Sequence, residues 1–236
     1  MARSKLSPYM LIAHAAAAAA AVISEDDVAF YTTPMAVVFK RLMATATSNR
    51  TAIVTGSSRG IGKSIVQRLA ADGYAVTVND VSSNKPGIDA LVSQINQSYG
   101  TGSAIGIVAD VTSLSEVRSL VEESVSKLGP LTAMVANVGI APISSALETT
   151  EAEVDDTMNV NFKGVWNCYT SAAKQMIAQG PVGEGSTGYK ILGCSSIAAS
   201  KPFPLLATYC ASKWAVKGLT HTFAMELAKH GISVNC

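Results

Sequence analysis

Tyr209 and Lys213 stand four residues apart, a spacing that puts a phenol and an ammonium group on one face of a helix. Ser196 lies thirteen residues before Tyr209, just after the apolar run 190–194, and Asn161 lies farther upstream in the stretch 159–164. A phenol ordinarily ionises near pH 10, too high for reversible proton transfer at neutrality. A neighbouring ammonium favours the phenolate and brings that proton within reach. An oxygen that gains negative charge during a reaction needs such a proton donor and a second hydrogen bond, which a serine hydroxyl can supply. Ser195 competes with Ser196 for this place, being adjacent and equally polar. Cys194 and Cys210 flank the group, yet no histidine stands near them in sequence, so they read as small packing or pocket-lining thiols rather than nucleophiles.

A second group is Gly56-Ser57-Ser58-Arg59-Gly60-Ile61-Gly62, placed after the apolar run 51–55 and before an amphipathic stretch carrying Ile65, Leu69 and Ala70. Glycines between a strand and a helix permit a tight turn and bring the backbone close to a pyrophosphate held at the helix N-terminus. The spacing is G-x-x-x-G-x-G rather than the commonest dinucleotide fingerprint. Asp80 ends the second apolar run, eighteen residues beyond Gly62, where an acidic side chain can accept hydrogen bonds from an adenosine ribose. The alternative for Asp80 is a loop cap. A carboxylate there repels a 2′-phosphate and points to NAD over NADP, whereas the planar fork of Arg59 suits a phosphate.

The elements that must position these groups follow from periodicity. Short apolar runs alternate with amphipathic stretches from Thr51 onward, the pattern of repeated βα units. Strands are predicted near 51–55, 74–79, 103–109, 132–136, 189–194 and 232–235, and helices near 60–72, 86–98, 113–128, 151–179 and 207–230. Ser113 with Glu116 and Thr150 with Glu153 have capping-box spacing, and Gly231 after Lys229 and His230 suits a left-handed C-cap. Right-handed crossovers make this an α/β, doubly wound parallel sheet in a single domain, with ligands beyond the carboxyl ends of the strands.

Thr55 through Gly62 matches the T-G-x-x-x-G-x-G motif of the short-chain dehydrogenase/reductase family. Asp110-Val111 resembles its adenine-contacting pair, and Asn137-Val138-Gly139 stands where the family has N-A-G, although Ala136 replaces a common Asn. Asn161, Ser196, Tyr209 and Lys213 match its Asn, Ser, Tyr, Lys tetrad in order, and the thirteen-residue interval favours Ser196 over Ser195. The resemblance, over 51–236, implies a Rossmann fold and an NAD(P)-dependent oxidoreductase moving a hydride between nicotinamide and the carbinol or carbonyl carbon of a small substrate. It implies Tyr209 as the acid, Ser196 on the substrate oxygen, Lys213 also on the nicotinamide ribose, and Asn161 positioning a relay water. It places cofactor contacts at Gly56, Ser58, Arg59, Gly60, Ile61, Gly62, Asp80, Asp110, Val111, Asn137, Gly139, Tyr209 and Lys213. It further implies homo-oligomers, dimers or tetramers, paired through the helices at 151–179 and 207–230.

Gly62–Ile65, Arg68-Leu69, Asp72-Gly73 and Lys213–Thr220 are similar to the acetoin/diacetyl reductase (2,3-butanediol dehydrogenase) branch, and similar segments occur in 3-oxoacyl-carrier-protein reductases. Two features depart from the family: a loop of small residues at Gly180–Gly188, and an end at Val234-Asn235-Cys236 within the sixth strand, past which family members continue. The fold is therefore expected to be C-terminally incomplete relative to the family. A nucleotide-binding protein without turnover is the alternative.

Composition bounds the remaining choices. The chain has 236 residues, 48% hydrophobic and 15% charged, enough for one substantial core. Its 18 Lys and Arg against 17 Asp and Glu give no summed field that favours nucleic acid or an anionic membrane over a neutral small molecule, and the resemblance implies a small carbonyl or alcohol as that partner. Cys168, Cys194, Cys210 and Cys236 form no C-x-x-C pair, and His14, His221 and His230 stand apart, so no metal site is expected. The apolar stretch Leu11–Ile23, with His14 inside it, is well short of the roughly 20 residues that span a bilayer. It imitates a signal peptide, but acidic Glu25-Asp26-Asp27 follows, and a cytoplasmic protein is expected. Residues 1–47 read as an N-terminal extension, with 1–42 lacking a role in the fold, and 48–236 as the domain.

Overall fold

In the computed structural model, the described residues are 50–181 and 188–236. The expected extension at 1–47 and the middle of the Gly180–Gly188 loop lie outside them. The strands are β1 (Thr51–Val54), β2 (Ala75–Asp80), β3 (Ala104–Val108), β4 (Leu131–Ala136), β5 (Tyr189–Gly193) and β6 (Ile232–Asn235). Between them run α1 (Gly60–Ala71), α2 (Lys85–Tyr99), α3 (Leu114–Leu128), α4 (Glu151–Met158), α5 (Gly164–Ala178) and α6 (Ala207–Leu227). All six strands are parallel, in the order β3-β2-β1-β4-β5-β6. The order reverses between β1 and β4, and the crevice beyond their carboxyl ends is where a doubly wound sheet takes its ligand.

Period-two alternation explains why β1 is buried along its whole length. Ala52 and Val54 pack with Val66, Ile88 and Leu91 under α1 and α2, while Ile53 packs with Leu120, Tyr169 and Met176 under α3 and α5. Each fully buried Ile or Leu contributes about 1.5–3 kcal/mol relative to exposure. Polar ties join the sheet to α3: Thr77 Oγ1 donates to Ser124 Oγ at 2.9 Å, and Thr51 Oγ1 donates to the Leu128 carbonyl at 3.1 Å.

Three expectations change in detail. The helix expected at 151–179 is interrupted by a π-helical turn, Asn159–Lys163, between α4 and α5. Tertiary contacts favour this wider turn: Asn161 is drawn fully inside, and Gly164 lies so close to Val111 that an added β-carbon would sit 2.7 Å from Val111 Cγ2. Thr150 and Glu153 close a complete capping box, whereas the Ser113 box is half made. Ser113 Oγ accepts from the Glu116 amide at 3.4 Å, but Glu116 Oε2 accepts from the Asp110 amide at 2.8 Å. The last helix tightens into a 3-10 turn at Ala228–His230 before Gly231, whose φ of 70° is left-handed as expected.

Tyr169 ties α5 to α6 through a 3.0 Å hydrogen bond between its hydroxyl and Thr220 Oγ1, and its ring meets Phe223 edge-on at 5.4 Å. A β-carbon added to Gly193 at the end of β5 would land on that hydroxyl. Gly193→Ala is therefore expected to cost about 1–3 kcal/mol, lowering Tm by about 2–4 °C per kcal/mol. The double variant Gly193→Ala/Tyr169→Phe should recover part of the loss in thermal melts; an unchanged Tm in Gly193→Ala would refute the packing account.

Candidate functional site

The glycine loop leaves β1 and is pinned to β2 before it reaches α1. The Ser57 amide donates to the Asn79 carbonyl at 2.8 Å, and the Asn79 amide donates to Ser57 Oγ at 3.1 Å. Asn79 Nδ2 also reaches the Ile107 and Ala109 carbonyls, both at 3.1 Å, so one buried amide fastens β2 to the end of β3. Gly56 and Gly60 have φ of 61° and 57°, which only glycine adopts without strain. Gly62 serves close approach: a β-carbon there would sit 2.5 Å from the Gly56 carbonyl oxygen and 2.6 Å from Asn137 Nδ2. Asn137 Nδ2 donates to the Thr55 and Gly56 carbonyls at 2.9 and 3.2 Å, stapling the loop after β4 onto the glycine loop.

These residues fit a dinucleotide. Arg59 caps α1 without a side-chain hydrogen bond, and the first turn holds no acidic residue, so the leading amides are open to an anion. Arg59, Gly60 and Ile61 are exposed on this turn, whereas Ser58 is turned inward. Asp80 is also turned inward and buried: Oδ2 accepts from Ser58 Oγ at 2.5 Å, and Oδ1 accepts from Asn84 Nδ2 at 2.8 Å and the Val81 amide at 2.9 Å. Burial pushes its pKa upward, but the hydrogen bonds from Ser58, Asn84 and the Val81 and Ser58 amides outweigh this and hold it below the usual carboxylate value. Asp110 Oδ1 accepts from the Thr112 amide at 2.9 Å and Thr112 Oγ1 at 2.8 Å, at the edge of an open cavity of about 420 Å³ that also reaches Ile140. Val111 belongs to the fold: its side chain is in the core and its carbonyl accepts from Asn167 Nδ2 at 2.9 Å.

At the other end of the crevice, Tyr209 occupies the first turn of α6 and Lys213 the next. Lys213 is 3% exposed, and its Nζ lies 5.5 Å from the Tyr209 ring centroid while donating to the Cys194 carbonyl at 2.6 Å. Burial lowers the pKa of this amine, with Cys194 pulling the other way. Asn161 is fully buried and clamps the loop after β4. Its Oδ1 accepts from the Ile140 amide at 2.8 Å, and its Nδ2 donates to the Ile140 carbonyl at 2.8 Å and to Ser212 Oγ at 3.0 Å. Ser212 Oγ donates to the Tyr209 carbonyl at 2.7 Å, so the clamp extends to the phenol's own backbone. Gly139 brings this loop close, since a β-carbon there would sit 3.3 Å from Lys213 Nζ and 3.4 Å from Asn161 Oδ1.

The two serines are distinguished by their bonds. Ser195 Oγ donates to the Lys213 carbonyl at 3.3 Å, whereas Ser196 Oγ accepts from the Ala198 amide at 3.1 Å and keeps its own proton to give. Among the described residues, none hydrogen-bonds the Tyr209 hydroxyl. Sequence reasoning missed Ser212, the Ile140 backbone, the Cys194 carbonyl and the Asn79 clasp. Only Ser212 carried a signal, a hydroxyl one turn from Tyr209 and adjacent to Lys213. Among the described residues there is no cluster that could hold a metal ion, and no helix is long and apolar enough to cross a membrane.

A parallel sheet in this order, a glycine loop opening α1 and a phenol–ammonium pair beyond β5 define a dinucleotide-binding oxidoreductase. The short chain dehydrogenase family matches residues 50–236, and the chain belongs to that family. It is thus an NAD(P)-dependent oxidoreductase acting on CH–OH groups. A short-chain dehydrogenase/reductase of Armillaria gallica is 39% identical over 186 residues, covering 79% of this chain and 68% of the relative. A 3-oxoacyl-[acyl-carrier-protein] reductase of Staphylococcus aureus is also 39% identical over 186 residues, covering 79% and 72%. The crystal structure of a short-chain type dehydrogenase/reductase from Mycobacterium marinum superposes with a TM-score of 0.72 at 30% identity, over 80% of this chain and 73% of that one. A Burkholderia cenocepacia short chain dehydrogenase in complex with NADP gives 0.70 at 35% identity, over 80% and 72%.

The Asp80 cluster yields a pH test. A depressed folded-state pKa means the stabilisation is present above the unfolded pKa and is lost as pH falls through the folded one. Asp80→Asn is expected to cost roughly 1–2 kcal/mol at pH 7, with the gap from the wild type narrowing in melts taken at progressively lower pH. A gap of equal size throughout would show that charge is not what the cluster binds.

Proposed function

We propose that the chain interconverts a secondary alcohol and the corresponding ketone, with Tyr209 as acid and base and NAD as the hydride carrier. What carries this reading is the buried Lys213 ammonium 5.5 Å from the Tyr209 ring, beside a phenol hydroxyl that no described residue claims. In reduction, Tyr209 gives its proton to the substrate oxygen as negative charge builds there, and in oxidation it takes that proton back. Ser196 donates the second hydrogen bond to the same oxygen. Lys213 stabilises the phenolate electrostatically. Asn161 acts through geometry, holding Ile140 and Ser212 so that the loop after β4 and the first turn of α6 keep their spacing.

A bound nicotinamide supplies or accepts the hydride. Gly56, Arg59, Gly60, Ile61 and Gly62 would hold its pyrophosphate at the α1 N-terminus, with Asp80 and Asp110 toward the adenosine and Gly139 and Lys213 toward the nicotinamide ribose. The ionised Asp80 supports NAD, because a 2′-phosphate beside it would be repelled. The NADP complex of the Burkholderia relative and the exposed Arg59 mark the competing choice.

For the substrate, the acetoin/diacetyl resemblance stands against the Staphylococcus relative's name, which favours a 3-oxoacyl thioester as the second reading. Comparing turnover of diacetyl or acetoin with that of an acetoacetyl thioester separates them. Exposed Trp166 on α5 and Trp214 and Met225 on α6 support a homo-oligomer formed through these helices. The four cysteines, none paired with another, suit a reducing compartment such as the cytoplasm.

Tyr209→Phe is expected to lower kcat by about 10²–10⁴-fold while leaving NADH binding, read by fluorescence, intact; near-normal turnover would refute the assignment. The kcat/KM ratio should favour NAD over NADP, and a tenfold preference for NADPH over NADH would overturn the cofactor choice.

A further inference from the structure

Among the described residues, six of the seventeen exposed large apolar side chains stand on just two loops, Ile140, Ile143 and Leu147 after β4, and Ile197, Phe203 and Leu205 between Ser196 and Tyr209. Ile143, Leu147 and Ile197 are 77%, 98% and 69% exposed, where an ordinary surface loop would carry polar groups. The loops are fastened to each other and to the reaction centre. The Ser144 amide donates to the Leu205 carbonyl at 3.0 Å, Ile140 is held by Asn161, and the Cys210 amide of α6 donates to the Leu206 carbonyl at 2.8 Å. Across 140–147 and 197–205 the only charged residue is Lys201, and neither segment has a guanidinium for a phosphate-bearing carrier.

Leu205 adds an independent observation. Its φ of 63° makes it the one non-glycine residue in the left-handed region among the described residues. A branched side chain is strained there and a glycine would not be. The chain accepts this strain four residues before Tyr209, and accepted strain beside a reaction centre points to a role for the side chain itself.

We propose that these two loops form an apolar wall beside Ser196 and Tyr209 that takes up the hydrocarbon part of an uncharged alcohol or ketone, with Leu205 as a specificity-determining residue. This rests on the oxidoreductase reading for the position of the reacting oxygen. The wall takes up the substrate's hydrocarbon part and leaves the oxygen to Ser196 and Tyr209.

The test is calorimetric titration of the full chain, in the presence of NADH, with butan-2-ol, hexan-2-ol and octan-2-ol; alcohol and reduced cofactor together undergo no hydride transfer. Kd is expected to fall about two- to fourfold per added methylene, and the series should flatten in Leu205→Ser and keep its slope in Leu205→Met. Leu205→Gly, which suits the left-handed backbone, truncates the side chain without a folding cost and should flatten the series as Leu205→Ser does. Affinities independent of chain length in the wild type, or an undiminished slope in both Leu205→Ser and Leu205→Gly, would overturn the proposal. A steep series from a chain that reduces no ketone would refute the oxidoreductase reading and leave the wall standing, whereas turnover with a flat series would do the reverse.

Discussion

An ammonium group buried to 3% exposure costs several kcal/mol in lost hydration unless the protein surrounds it with acceptors, and Lys213 is in this position. The Cys194 carbonyl at 2.6 Å meets part of that demand, and the ring of Tyr209 lies beside it. The groups that surround it come from different parts of the chain: Cys194 directly follows β5, Tyr209 lies in the first turn of α6, and the loop after β4 approaches at Gly139, where an added β-carbon would sit 3.3 Å from Lys213 Nζ. They meet because β4 and β5 are neighbours in the sheet and Lys213 of α6 bonds the Cys194 carbonyl just beyond β5. The depressed pKa of the amine is the electrostatic consequence, leaving a proton that is more easily released and recovered than that of a solvated lysine.

Loops beyond strand ends leave backbone groups without ladder partners, and buried amide and hydroxyl side chains satisfy them here. Asn79 holds the end of β3, Asn137 the glycine loop, Asn161 the loop after β4, and Ser57 and Ser212 complete the set. Each has one side chain spanning elements far apart in sequence. The result is that the glycine loop, the loop after β4 and the first turn of α6 are tied to one another and to the sheet. The same ties explain the interrupted helix, since Asn161 reaches Ile140 and Ser212 from a turn wound wider than an α-helix.

Selectivity is laid over this platform by groups whose burial differs. Asp80 is drawn into the protein by Ser58 and Asn84, so its charge stays fixed at the end of β2. Leu205 and its neighbours on the two loops remain exposed and apolar. The proposed choice of cofactor rests on that fixed charge, and the proposed choice of substrate on the exposed apolar loops.

The parallel βα alternation and the turn of the glycine loop were legible in the sequence because each depends on local periodicity or chain spacing, whereas Asn161, Ser196, Tyr209 and Lys213 were singled out together through the family resemblance. The strands lie within one residue or so of their expected limits, and the Thr150–Glu153 cap closed as its four-residue pattern requires. The π-helical turn was invisible, because the apolar rhythm of 151–179 does not register a single widened turn. The Ser113 box opened because Asp110, three residues outside it, claimed the Glu116 carboxylate. Likewise, spacing proposed Ser196 over Ser195, but only the folded chain shows that Ser195 spends its proton on the Lys213 carbonyl while Ser196 keeps its own. The sequence by itself determined which groups could react, since side-chain chemistry is local; tertiary structure decided which remain free to do so, since hydrogen-bond partners and burial are set by contacts between residues distant along the chain.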